Sequence, residues 1–305
     1  MSYVKALLNG NDDIITLTLC FSPFVNSIFM PQLFKAKRVV LLGLGPEGKD
    51  KENDFLSKVG STLASQCDSH KKVSSCVLVL PSTFATEEDF PLEDLSAHFY
   101  STLYNDNRYR TKANVQIKAE DLKSVTIVTE GTLGDAEAAN TALKTGKGIS
   151  KGVSLAKDIV NAPHNVLNSE SLANVAKQIA EESGGTITCT ILGKEECEER
   201  GMGAYLGVAR GSETEPQFIH LTYLPKSGKA RYVGDGIGIG SFISFSELNG
   251  LFIYLQINCV SSKKVGIIGK GLLFDTGGYN IKTAMMELMK FDCGGSVSFC
   301  TYGKH

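Results

Sequence analysis

The sequence predicts an α/β protein of two domains, and three observations carry that prediction. The chain has 305 residues, room for two domains at roughly 100–200 residues each. Short apolar runs that end in Gly or Pro alternate with stretches of helical apolar spacing. Apolar residues make up 42% of the chain and charged residues 21%, a globular balance that rules out disordered and collagen-like chains.

The elements follow in order. Lys37-Arg-Val-Val-Leu-Leu-Gly-Leu-Gly45 is short, apolar and closed by glycine, as a buried strand is. Residues 55–67 carry Phe55, Leu56, Val59 and Leu63 at helical spacing. Val73 to Leu80 reads as a second buried strand, stopped by Pro81. Leu92 to Tyr104 places Leu92, Leu95, Phe99 and Leu103 on one helical face, and Ser124 to Thr129 reads as a third strand. Asp135 to Val160 reads as one long helix, weakened by Gly146, Gly148 and Gly152. It stops at Asn161-Ala-Pro163, because Pro cannot continue a helix. The expected organisation is therefore a first domain over 1–145, a linking helix over 146–165 and a second domain over 166–305.

In the second domain Ser169 is expected to cap a helix from Glu170 to Glu182, ended by Gly184-Gly185. Thr186–Leu192, Phe218–Tyr223 and Lys264–Ile268 read as strands, and Lys194–Arg200 as a short helix. Residues 229–262 break this rhythm and read as an atypical insertion. Gly234, Gly236, Gly238 and Gly240 alternate with Asp and Ile, and Leu251 to Val260 is almost wholly apolar. A membrane span needs ~20 apolar residues, about twice that run, so no membrane partner is expected.

Thirty-one basic and 33 acidic residues give a formal charge of −2. That balance does not point to nucleic acid or an anionic membrane. The eight cysteines lie far apart with no CxxC pair. A zinc finger and a disulfide scaffold are thereby excluded, and the reading is free thiols in a reducing compartment. The N-terminal residues do not read as a signal or transit peptide, so a cytoplasmic location is expected. The five histidines (70, 98, 164, 220 and 305) show no HxxxH pairing. Gly43-Leu-Gly45-Pro-Glu-Gly48 fits GxGxxG after a strand. A dinucleotide site also needs an acid about 20 residues on, at the end of the next strand. That strand ends at Leu80-Pro81-Ser82, whereas Asp68 precedes it. A plain βα turn is the better reading, with a nucleotide-dependent oxidoreductase as its competitor.

The dense chemistry lies in Lys270-Gly-Leu-Leu-Phe-Asp-Thr-Gly-Gly-Tyr-Asn-Ile-Lys282 and Glu287-Leu-Met-Lys-Phe-Asp292. Asp275 ends an apolar run and precedes two glycines, the usual placement for chemistry at a strand's C-terminal edge. Carboxylates suit hard divalent cations. A lysine can ligate a metal only as the neutral amine, a form favoured by burial and a nearby dication. A protonated lysine can instead hold developing negative charge. Spacing alone leaves open a glycine-rich surface loop with ordinary salt bridges.

The block Lys270 to Gly295 resembles the first catalytic motif block of the leucine aminopeptidases, the cytosol aminopeptidase family, in its plant-type form. Leu155-Ala-Lys-Asp-Ile-Val-Asn-Ala-Pro-His-Asn-Val-Leu167, Gly201-Met-Gly-Ala-Tyr-Leu-Gly-Val-Ala209 and Pro216-Gln-Phe-Ile-His-Leu-Thr-Tyr223 are similar to that family's interdomain and early catalytic segments. The resemblance implies an N-terminal α/β domain joined by a long helix to a catalytic α/β domain with a central mixed sheet. It implies hexameric homo-oligomers and two divalent cations (Mn, Zn or Mg). Lys270 would ligate one metal, Asp275 would bridge both, and Asp292 would share the metal of Lys270. Lys282 would be the catalytic lysine at the scissile carbonyl. The implied activity is that of a metalloexopeptidase. It takes apolar residues such as Leu from peptides with a free N-terminus, using water activated by two metals.

The sequence also departs from that pattern. The family's second block, Asn-Thr-Asp-Ala-Glu-Gly-Arg, supplies further ligands and has no counterpart before His305. The connection from Lys282 to Glu287 is about three residues short of the plant-type pattern, and Val297 to His305 departs from the Ala-rich helix expected after Gly294-Gly295. The insertion and the ending are expected to reflect a truncated or mis-spliced gene product, and impaired activity follows from the missing ligands. A non-catalytic assembly or regulatory subunit of the same family is the alternative function.

Overall fold

A computed structural model describes residues 14–20, 38–43, 55–70, 72–80, 92–111, 117–129, 136–224, 252–258, 264–276 and 280–300. The chain divides into two compact units, Met1–Ser150 and Lys151–His305. The described residues hold two four-stranded sheets.

In the first unit β1 (Ile14–Cys20), β2 (Arg38–Gly43), β3 (Ser75–Leu80) and β4 (Ser124–Thr129) form a sheet of order β2-β1-β3-β4. All its pairs are parallel. The strand-and-helix alternation read from sequence is present, with α1 (Phe55–Ser69) and α2 (Leu92–Thr102) between strands. Strand β1 is an addition to the sequence reading. Thr16 and Thr18 alternate there with Leu17 and Leu19, a period-two signal. Leu17 pairs with Val40 on one side and Leu78 on the other. Strand β3 is buried along most of its length, as an inner parallel strand is. Its Cys76, Leu78 and Leu80 pack with Val59, Leu63, Ala64 and Cys67 of α1 and with Leu95 and Phe99 of α2.

The long helix runs from Ala136 to Asn161 as α3, and the division between the units falls within it. Gly146, a weak point by propensity, sits where a Cβ would strike the Glu93 carbonyl and the Ser96 side chain. Gly60 of α1 does the same against the Leu95 carbonyl and lies 3.1 Å, by its would-be Cβ, from the Phe99 nitrogen. Both glycines serve close helix approach. Asp68, the acid at the dinucleotide spacing, lies in the last turn of α1 and accepts from the Ala119 amide at 3.1 Å. Residues 44–48 of the GxGxxG segment lie outside the described residues.

In the second unit α4 (Ser169–Glu182) precedes β5 (Ile187–Leu192), α5 (Lys194–Glu199) and α6 (Gly203–Ala209). Then come β6 (Phe218–Tyr223), β7 (Phe252–Asn258), β8 (Lys264–Lys270), a 3-10 turn (Met286–Phe291) and α7 (Gly294–Cys300). The sheet order is β5-β6-β7-β8, and the sheet is mixed as expected, because β6 and β7 are parallel while the outer pairs are antiparallel. Strand β7 comes from the stretch set apart as 229–262. Its Phe252 stands opposite Lys270. The apolar run that invited a membrane reading is thus a strand over Phe252–Asn258. No described helix is long and apolar enough to cross a membrane.

The cap of α4 corrects the sequence reading by one residue. Asn168, extended at φ −129°, accepts from the Ser171 amide through Oδ1 at 2.8 Å, and its own amide donates to Ser171 Oγ at 2.9 Å. Ser169 lies inside the helix, and its hydroxyl donates to the Glu215 carbonyl at 2.6 Å. Leu172, Ala173, Ala176 and Ile179 of α4 face Ile187, Ile219 and Leu221 of the sheet, together with Ile159, Cys293 and Val297. The residues after Gly295 depart from an Ala-rich pattern yet still form α7, with Val297 fully buried.

Two stability measurements check this packing. Gly60→Ala is expected to cost about 1–3 kcal/mol, because a methyl must displace the α2 backbone. An unchanged urea midpoint would show that the helices have room to part. Asn168→Ala is expected to cost about 1 kcal/mol through loss of the cap, and an unchanged urea midpoint would show that the cap does not hold this helix end.

Candidate functional site

Strand β8 delivers Lys270 to the sheet's end, and the chain leaves the sheet through residues 271–276. Leu273 packs against the core of the second unit. Phe274 stacks at a tilt on His164, ring centroids 5.8 Å apart. Anchored by those two apolar side chains, Asp275 emerges partly exposed. The Lys282 amide then donates to the Thr276 carbonyl at 3.0 Å, which closes the loop. That closure brings Lys282 Nζ to 2.8 Å from Asp275 Oδ1. Residues 277–279 lie outside the described residues.

The short connection after Lys282 turns at Met285, whose φ of 53° is left-handed. An unbranched side chain tolerates that conformation at a cost of about 1–3 kcal/mol. The 3-10 turn follows, and Asp292 caps it, its amide donating to the Met289 carbonyl at 3.1 Å. Cys293 and Val297 then plunge into the core. A Cβ on Gly295 would lie 3.1 Å from the Lys270 nitrogen, so the start of α7 rests on the end of β8. This docking sets Lys270 Nζ 3.1 Å from Asp292 Oδ2 across 22 positions of sequence.

The four residues singled out from sequence therefore come together as two ion pairs, Lys270 with Asp292 and Lys282 with Asp275. Side-chain exposure is 48% and 28% in the first pair and 30% and 39% in the second. Pairs this exposed contribute about 0–1 kcal/mol each, so their place in the structure is not explained by stability. The Lys270–Asp292 spacing also suits adjacent ligands of one ion. Around a cation with ~2.1 Å bonds in octahedral geometry, neighbouring donors stand ~3.0 Å apart. The amine must first lose its proton. No group of three or more His, Cys, Asp or Glu gathers around one point among the described residues. Lys270 and Asp292 thus fit adjacent places in a coordination shell by donor type and spacing, and Asp275 fits by donor type.

Several features beside these pairs escaped the sequence reading. A cavity of about 330 Å³ is lined by Ala162, His164, Leu167, Leu273, Phe274, Met286, Glu287, Lys290 and Cys293. The segment Asn161-Ala-Pro-His-Asn165, read as a helix stop, therefore also walls a cavity. Ile281, Met285, Leu288 and Phe291, on the segment that carries Lys282 and leads to Asp292, are exposed. Burial pushes the Cys293 thiol up, so it acts as a small apolar packing group rather than a nucleophile. Lys290 donates to the Asn161 carbonyl at 2.8 Å, a contact across 129 positions that no local pattern announces.

Comparison with known proteins identifies the family of the chain. The sequence matches the Cytosol aminopeptidase family, catalytic domain, over residues 154–241 and 246–304, which takes in most of 229–262. It matches the Cytosol aminopeptidase family, N-terminal domain, over residues 25–113. Leucine aminopeptidase 2, chloroplastic, of Oryza sativa subsp. japonica is 35% identical over 268 residues, 86% of this chain and 38% of that protein's length. The chain thus spans less than half of that relative. Among solved structures, a mutant of tomato leucine aminopeptidase aligns with a TM-score of 0.57 at 23% identity, over 71% of this chain and 49% of that one. The bottromycin maturation enzyme BotP in complex with Mn aligns with a TM-score of 0.61 at 18% identity, over 95% and 56%. At these identities the two structures attest the fold alone. With the family's two domain descriptions matched in order along the sequence, and a relative at 35% identity, the chain belongs to the cytosol aminopeptidase family.

Proposed function

We propose that this chain is part of a two-metal aminopeptidase that removes apolar residues such as Leu from the N-terminus of peptides. The observation that carries the reading is the pairing of Lys270 with Asp292 and of Lys282 with Asp275 at the end of β8. Lys270 and Asp292 would hold one divalent cation, and Asp275 would reach both. The cations, whether Mn, Zn or Mg, would supply Lewis acidity and a water made nucleophilic near neutral pH. One structural neighbour is named in complex with Mn, and the proposal takes a divalent metal of this kind for this chain from its family membership.

The protein's own groups have separate tasks. Lys282, released from Asp275, would direct its ammonium at the scissile carbonyl and hold the charge that develops there. Exposed Ile281, Met285, Leu288 and Phe291 present apolar surface on the segment that carries Lys282 and leads to Asp292, in keeping with an apolar substrate residue. Family resemblance extends the reading to a hexamer, with residues 146–165 linking the two domains. Cys67, Cys76, Cys189, Cys197 and Cys293 are free, which supports a reducing compartment; the cytoplasm is our reading, although the rice relative is named chloroplastic.

One observation favours a second reading, a non-catalytic assembly or regulatory subunit. The described residues bring no third acidic, thiol or imidazole group to the pairs. Three donors leave at least one cation short of ligands and its carboxylates poorly neutralised.

Manganese titration of the 305-residue chain separates the two readings. Two ions bound per chain, with affinity falling on the order of tenfold or more in Asp275→Asn, is the outcome expected of the enzyme. No binding to the unsubstituted chain assigns it to the subunit role. In the same preparation, leucine anilide with added manganese is expected to turn over weakly or not at all. Turnover at a rate normal for a peptidase (on the order of 1–10³ s⁻¹) would overturn the idea that this chain is short of ligands.

A further inference from the structure

We propose that Lys290 is a positioning residue, whose bond to the end of α3 sets Asp292 in place for a metal ion. This role presupposes that Asp292 ligates a divalent cation, as proposed above. It adds a residue that touches neither metal nor substrate.

The Asn161 carbonyl is the last of α3, and the final carbonyls of a helix have no partner within it. They also carry the helix's partial negative charge, which suits an ammonium. Lys290 Nζ meets that carbonyl at 2.8 Å. Lys290 lies on the 3-10 turn, and Asp292 caps the turn two residues later. At three residues per turn, positions two apart point to different sides. One side is thus tied to α3 while Asp292 meets Lys270 at 3.1 Å.

The other restraints on the turn are weaker or lie downstream. Leu288 and Phe291 are exposed, Met286 and Met289 are only half-buried, and the turn fully buries no residue. Cys293 and Val297 anchor the chain only after Asp292 has passed. Upstream, the left-handed Met285 starts the turn and is itself largely exposed. Lys290 therefore supplies the hold ahead of Asp292, and Cys293 the hold behind it. Without the first, the carboxylate keeps its chemistry but gains freedom to swing away from Lys270.

The test is manganese affinity of the full chain, read from the electron paramagnetic resonance signal of free Mn²⁺. Lys290→Met is expected to weaken binding roughly tenfold, the scale for partners that orient a metal ligand. Its far-UV circular dichroism should be unchanged. Lys290→Arg, which keeps a charged N–H donor, should recover most of the loss. If Lys290→Met binds like the unsubstituted chain while Asp292→Asn loses the ion, the positioning role falls and the ligand reading stands. If Asp292→Asn binds unchanged, or the unsubstituted chain takes no Mn²⁺, the ligand reading falls and the positioning role with it. Should Lys290→Met fail to fold, Lys290→Gln serves in its place. Affinity weaker than in Lys290→Arg supports the role, and affinity equal to the unsubstituted chain overturns it.

Discussion

Burial of Cys293 and Val297 against the sheet fixes where Asp292 can stand. Both side chains are almost without solvent contact and share a core with α4 and the end of α3. The residue before them has no such freedom to choose its place. It must emerge where α7 begins, and α7 begins on the backbone of Lys270. Apolar packing thus does the work of bringing together two charged groups that lie 22 residues apart. The same device operates at Asp275, which Leu273 and Phe274 carry to the surface from the apolar side.

Among the described residues, Lys270 meets Asp292 and Lys282 meets Asp275 as ion pairs. Their exposure makes each pair cheap to break, since water and salt screen the attraction. A buried pair would be costly to separate and would hold its partners fixed. Partial exposure leaves the carboxylates structured and still open to exchange of one cation for another. That property suits residues meant to meet a ligand better than residues meant to hold a fold.

Much of the architecture was legible because it is local. The apolar runs of β3, β4 and β6 and the spacing in α2 and α4 give their elements directly. Asp275 and Lys282 lie seven residues apart around glycines, so their meeting needs only one closed loop. Lys270 and Asp292 depend on tertiary docking, and only the family resemblance pointed to their partnership. Lys290 and Asn161 lie beyond any local pattern, because the end of one helix and a distant turn meet only after the second unit's core has formed. Strand β1 carries a short alternation of Thr and Leu, a period-two signal spread over only a few residues. Strand β7 was hidden for another reason. An unbroken apolar run has no periodicity to separate strand from helix, and its flanking glycines looked foreign.

The place of β7 has a consequence for the lysine at the sheet's end. Successive side chains of a strand point to opposite faces. Lys270 faces its carboxylate partner only while Phe252 stands across from it. An offset of a single residue between these two strands would reverse that parity. Gly269, with no side chain at all, would then occupy the productive face. The stretch that looked least like its surroundings is thus the one whose alignment decides which way the amine points.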